Sequence, residues 1–292
     1  MFALSSIKKN FILFFFNNVN WLSYNIFNKF YKITKCKLIN TNETIFKFDN
    51  FGFSKSQTVE DVDIDAIKSL LNNTKKNHDN YVTSFFLTDD LKKKIKNLFF
   101  KYFVDDIKNF ENYYQSKIIV SNVMVWQNHG YDQEKNKHNQ FFSEKYHTDN
   151  YLFTYFKLFV NLEDVKLSKG PLHFIDKKNT STFLKLSGYK DRNLYDEKKV
   201  DQLVFKNTGS KGESLFFNST QCLHRAGIPV KGDSRLMLGF IFNAIPGKPD
   251  GDYFFYETND NSIFNSDFWS KYFGKPTGII NLIKLFINFF IK

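Results

Sequence analysis

Residues 146–150 read YHTDN. His147 and Asp149 lie two apart, and side chains i and i+2 of an extended strand point the same way. Such a pair can serve one metal ion, but two ligands rarely hold a metal, so a third must come from a distant segment. His224 is well placed for that. It follows the strand-like run GSKGESLFFN (209–218) and precedes RAGIPVKGD (225–233), a return rich in turn residues. A strand resumes at Arg235, eleven residues beyond His224. A hairpin of that length brings Arg235 towards the pocket that His224 serves. Taken alone, the His-x-Asp triplet also reads as a surface turn with a local hydrogen bond. A lone His224 reads as a satisfied core histidine, and a lone Arg235 as a surface ion pair.

Together the four residues describe particular chemistry. Two histidines and one carboxylate on one face of an ion form the ligand set of non-haem Fe(II) oxygenases and leave three positions open. A 2-oxo acid fills two of these through its carboxylate and keto oxygens, and dioxygen fills the third. The distal carboxylate of 2-oxoglutarate then needs a buried cation. An arginine such as Arg235 can grip it with two parallel hydrogen bonds.

The other candidates read more plainly. His173 sits inside GPLHFI and reads as structural. His129 and His138 flank or occupy the polar stretch 131–143, which reads as a surface loop. His78 closes a helical pattern and suits its C-terminal dipole. Cys222 reads as a small buried hydrophobe.

Elements must bring these residues together. Residues 56–78 pattern as a helix with an acidic start and a basic end. Residues 88–115 pattern as one long amphipathic helix capped by Thr88, with Leu91, Ile95, Leu98 and Phe99 on one face. After about residue 117 the pattern changes to short β-prone runs: 117–126, 151–162, 171–175, 201–205, 213–217 and 234–244. Helices followed by many short strands predict a mainly β fold, a double-stranded β-helix (jelly roll, cupin-like) core with flanking N-terminal helices. No linker divides the chain, so one domain is expected over 1–292. Its helical part covers about 1–116, its core about 117–250 and an aromatic extension about 251–292.

Composition narrows the function classes. The chain has 292 residues, of which 42% are hydrophobic, with 37 Phe and a net charge of +11. The abundance of Lys, Asn, Ile and Phe together reads as coding bias. The basic residues are scattered among Asp and Glu without a lysine block, which argues against nucleic acid as a partner. Two cysteines far apart, Cys36 and Cys222, exclude a disulfide scaffold and a cysteine-rich zinc site. The uncharged run 10–28 holds six Asn, which a bilayer core would penalise. It and the apolar, lysine-dotted run 278–292 read as segments that pack on the domain or touch a membrane surface. A cytoplasmic protein with peripheral membrane contact is the matching expectation.

The region 120–245 resembles the phytanoyl-CoA dioxygenase family of Fe(II)/2-oxoglutarate oxygenases. The resemblance rests on YHTDN, YFKLFVNLEDVKLSKGPLHFI, GSKGESLFFNSTQCLHRAG and SRLMLGF. It implies that His147, Asp149 and His224 ligate Fe(2+) and that Arg235 binds 2-oxoglutarate. It further implies a hydroxylase that uses O2, oxidatively decarboxylates 2-oxoglutarate to succinate and CO2, and acts on a small or lipid-like organic substrate. Halogenases of the family lack the carboxylate, so Asp149 favours hydroxylation. The sequence departs from the family pattern at 176–180 (DKKNT), read as a loop that could hold substrate, and at Met237, where a hydroxyl residue is common. A second co-substrate contact is therefore expected elsewhere, from Gln127 or Lys157. The rival readings are a non-catalytic jelly-roll binding protein and a cupin-like metal enzyme that does not use 2-oxoglutarate.

Overall fold

A computed structural model describes residues 43–78, 81–131, 145–149, 155–187, 197–245 and 249–253. The 10–28 and 278–292 runs, His138 and most of the 131–143 stretch lie outside these.

Runs apolar on both faces, such as SLFF and LMLGFIF, build the centre of the main sheet. Ten strands are described: β1 (Phe53–Lys55), β2 (Lys76–His78), β3 (Val82–Phe85), β4 (Lys117–His129), β5 (Tyr155–Asn161), β6 (His173–Phe174), β7 (Phe205–Lys206), β8 (Ser214–Phe217), β9 (His224–Arg225) and β10 (Ser234–Ile245). Seven form one antiparallel sheet in the order β1-β8-β5-β10-β4-β3-β2, and three form a smaller sheet in the order β7-β6-β9. This is the double-sheet jelly roll expected from the sequence.

Helices α1 (Glu43–Phe51), α2 (Asp61–Asn72), α3 (Asp89–Tyr102) and α4 (Val104–Tyr114) precede the long strands. One face of the large sheet carries Phe156, Leu158 and Val160 of β5 and Leu236, Leu238, Phe240 and Phe242 of β10. All pack in one core with Phe99, Phe103, Ile107 and Phe110 of the helical region. Phe156 stacks on Phe110 at 4.5 Å and on Phe242 at 4.9 Å. That face is sealed by aromatic packing. The alternate residues of β10, including Arg235, Met237 and Gly239, are left for the opposite, inner face.

Three expectations are corrected. The helix over 56–78 ends at Asn72, and residues 76–78 are strand β2, paired with β3. His78 thus closes a strand, with Nδ1 2.8 Å from Thr83 Oγ1. The helix over 88–115 is two helices meeting at Phe103, which caps the first and starts the second at φ −118° and ψ −11°. The hydrophobic period runs through this break because Phe99, Phe103 and Phe110 all reach the same core. The start is as expected: Thr88 Oγ1 accepts the Leu91 N–H at 3.4 Å. Finally, DKKNT does not form a loop. Asp176 Oδ1 accepts the Asn179 N–H at 2.7 Å, as a helix cap does, and α5 (Lys177–Ser187) begins there. Short helix α6 (Glu197–Asp201) follows.

Candidate metal centre

His147 and His224 meet across a single antiparallel bridge. Each backbone N–H donates to the other's carbonyl, at 2.9 and 2.8 Å. Residues paired this way project to the same side of a sheet, and the two imidazoles stand 4.3 Å apart between ring centres. The next pairing fixes Asp149, whose N–H donates to the Ser219 carbonyl at 2.9 Å. Asp149 Oδ1 lies 3.7 Å from His147 Nε2 and 3.9 Å from His224 Nε2. Ligand atoms of the three side chains all fall within 4.8 Å of one another, and this is the only such His/Cys/Asp/Glu group among the described residues.

The ring nitrogens are already assigned. His147 Nδ1 lies 2.7 Å from the Lys145 carbonyl, and His224 Nδ1 lies 3.0 Å from the Cys222 carbonyl. A carbonyl only accepts, so each Nδ1 carries the proton and each Nε2 keeps its lone pair for an ion. Burial, then the neighbouring His147, lowers the His224 pKa to about 3, so this ring stays neutral as a metal ligand must. For Asp149, burial favours the neutral acid. The Lys157 ammonium, by its charge and its hydrogen bond, outweighs it and holds the carboxyl below its ordinary range. Lys157 Nζ donates to Asp149 Oδ2 at 2.7 Å. Phe217 closes one side, its ring centre 5.1 Å from that of His224 with the two rings near perpendicular.

Arg235 lies on the inner face of β10 and is buried. Its register partner on β4 is Asn128, whose Oδ1 accepts from Arg235 Nη2 at 3.0 Å and from Trp126 Nε1 at 3.0 Å. Arg235 Nη1 is buried with no hydrogen-bond partner. Burial lowers the guanidinium pKa to about 10, still well above neutrality. A buried cation with an unsatisfied N–H costs stability unless an anion completes it. Between Arg235 and Lys157 along this face, Trp126 and Phe159 close over Gly239. A Cβ there would meet Trp126 at 2.7 Å and Phe159 at 3.3 Å, so only glycine leaves room for both rings.

The return from His224 to Arg235 is held by Gly170, at φ +59°, where a Cβ would meet the Ile228 carbonyl carbon at 2.3 Å. The Lys-Gly pair before PLHFI thus packs directly on the loop that carries the chain between the two residues.

The structure thus brings His147, Asp149, His224 and Lys157 together and buries Arg235 on the inner face. It does not bring Gln127 there. Gln127 pairs with Leu236, on the face that carries Val125, and its amide donates to Ser234 Oγ at 2.8 Å. The expectation of a co-substrate contact from Gln127 ignored the two-residue period, which turns Trp126 and Asn128 inward and Gln127 outward. Asn128 is what the sequence reading missed, and that same alternation along VMVWQNH was the signal for it. His129 shares the outward face, with Nε2 2.7 Å from Thr83 Oγ1. His173 lies beside Arg225, whose Nε donates to its Nδ1 at 3.2 Å. Cys222 is buried, with Sγ near Gly52.

No family model matches the sequence, and no curated protein matches it significantly. Solved structures match its fold. The non-haem α-ketoglutarate-dependent epimerase SnoN from nogalamycin biosynthesis is 13% identical with a TM-score of 0.50, covering 75% of this chain and 88% of that one. SnoN in complex with Fe3+, α-ketoglutarate and nogalamycin RO is 12% identical, with a TM-score of 0.48 over 75% and 91%. HygX from Streptomyces hygroscopicus, with nickel and 2-oxoglutarate bound, is 14% identical, with a TM-score of 0.45 over 76% and 94%.

Proposed function

We propose that this protein is a non-haem Fe(II)- and 2-oxoglutarate-dependent oxygenase of the phytanoyl-CoA dioxygenase type, hydroxylating a small or lipid-like organic substrate. The observation that carries the reading is the His147–Asp149–His224 triangle, whose ligand atoms lie within 4.8 Å of one another while both Nδ1 atoms are occupied by backbone carbonyls. Its jelly-roll setting, like that of SnoN, agrees.

The residues fit the groups they would hold. His147 and His224 offer neutral Nε2 donors and Asp149 a charged oxygen, the three-ligand face that suits ferrous iron. Arg235 supplies a buried cation whose unpartnered Nη1 would be completed by the distal carboxylate of 2-oxoglutarate. Asn128 fixes the plane of that guanidinium before anything binds. Trp126, Phe159 and Met237 form an apolar inner surface that excludes water beside the co-substrate. Bound iron, with dioxygen and 2-oxoglutarate, would supply the oxidising chemistry. The work of the described residues would be to bind, orient and keep water out. A cytoplasmic setting with peripheral membrane contact through the termini belongs to the same proposal. No described helix is long and apolar enough to cross a membrane.

Anaerobic addition of Fe(II) and 2-oxoglutarate to the whole chain should give a weak visible charge-transfer band. Asp149→Ala should abolish the band, and Arg235→Ala should raise the 2-oxoglutarate concentration needed to form it. A band unchanged in both variants would sink the assignment.

A further inference from the structure

The two oxygens of Asp149 have different partners. Oδ1 faces both imidazoles, at 3.7 and 3.9 Å. Oδ2 is held by Lys157 Nζ at 2.7 Å. The lysine is itself fixed. Its stem leaves the inner face of β5, a central strand, between Ile241 of β10 and Phe217 of β8, and its ammonium stands 5.6 Å from the Tyr155 ring centre. The main chain that carries this carboxylate is fixed in turn by the Asp149 N–H, which donates to the Ser219 carbonyl at 2.9 Å. A carboxylate left to itself can bind an ion through one oxygen or both, and the second mode takes up a position that co-substrate or dioxygen needs.

We propose that Lys157 is a positioning residue for the metal centre: it holds Asp149 Oδ2, so that the carboxylate presents Oδ1 alone to the ion and three coordination positions stay open. The proposal rests on the ligand set above and assigns Lys157 a role distinct from contacting the co-substrate. An ammonium suits this task because it donates to one oxygen as a compact charge, whereas no neutral side chain would also offset the buried carboxylate.

The test uses the full chain loaded with Co(II) alone, with no turnover. Infrared difference spectra of loaded minus metal-free protein report the separation between the antisymmetric and symmetric carboxylate stretches, wide for one-oxygen binding and narrow for two. Wild type should show the wide separation. Lys157→Met should shift to the narrow one, and Lys157→Arg, which keeps a donor to Oδ2, should restore the wide one. A merely structural lysine would change the melting temperature of Lys157→Met but not this signature. A narrow separation in the wild type, or a wide one in folded Lys157→Met, overturns the proposal. Should Lys157→Met fail to fold, the wild-type spectrum and that of Lys157→Arg decide it, and a narrow separation in either counts against it. Failure of the oxygenase reading looks different: cobalt binds with the wide separation, but 2-oxoglutarate leaves the cobalt absorption unchanged.

Discussion

The two faces of β10 are built on opposite terms. Outward, Leu236, Leu238, Phe240 and Phe242 share their contacts with more than twenty other buried side chains of one core. Inward, Arg235, Met237, Gly239 and Ile241 meet few partners, and each partner is specific: Asn128 for the guanidinium, Trp126 and Phe159 over the glycine. The outer face tolerates approximation because dispersion and burial add up over many weak contacts. The inner face does not, because its polar atoms are either paired with a named atom or left costly. One strand therefore gives one set of residues to the core and leaves the other, under the proposed function, to bind ligand.

Substitutions separate the two roles, beginning with the largest effect. Phe156→Ala removes a ring stacked between Phe110 and Phe242. It should lower the unfolding free energy by roughly 3–5 kcal/mol, read by urea titration, while the folded fraction still binds Co(II). Arg235→Met should do the reverse. It removes a buried cation with an unpartnered N–H, so stability should rise by roughly 1–3 kcal/mol. Affinity for 2-oxoglutarate should fall by roughly 2–4 kcal/mol, about 30- to 1,000-fold, measured by calorimetry on the Co(II) form. A variant less stable than wild type would show that the guanidinium is a packing element and would erase the contrast.

A smaller effect comes from pH. Burial, then Arg225 and Lys206, lowers the His173 pKa from 6.5 to about 4. The unfolded chain thus takes up the proton first. His173 contributes stability fully above pH 6.5 and loses it as pH falls from about 6.5 to about 4. His173→Gln should flatten the stability profile in that window, followed by thermal melts. The smallest effect belongs to Gln127→Ala. It breaks the amide's bond to Ser234, worth about 1 kcal/mol, and should leave 2-oxoglutarate affinity within about twofold of wild type. A tenfold loss would place Gln127 in the pocket after all.

How much of this was legible in the sequence depends on the range over which each signal acts. The two-residue spacing of His147 and Asp149 alone favours a turn; His224 and Arg235 downstream, and the resemblance of the segments around them, make it one candidate site. What the spacing does not contain is the partner across the sheet. The Asn128 side chain beneath Arg235 depends on register between strands 107 residues apart, while the Lys145 and Cys222 carbonyls, each two residues before its histidine, and the hold of Lys157 on Asp149, eight residues on, depend on local backbone shape that residue types do not reveal. The helical region failed for another reason. Periodicity cannot see a bend at Phe103 when the residues on both sides point into one core, nor a three-residue strand such as β1 or β2, too short to show alternation. The segment at 176–180 reads as a loop because it departs there from the family pattern, yet Asp176 is a helix cap.

Asn128 Oδ1 accepts from both Arg235 Nη2 and Trp126 Nε1. Trp126 is one of three tryptophans in the chain, with Trp21 and Trp269, so its own emission is what differs between wild type and Trp126→Phe. An anion that pulls on the guanidinium must therefore also change the hydrogen bond at the indole nitrogen. Under the proposed function that bond would be an optical gauge of co-substrate binding: indole emission should shift in wild type as 2-oxoglutarate is added, and that shift should be lost in Trp126→Phe.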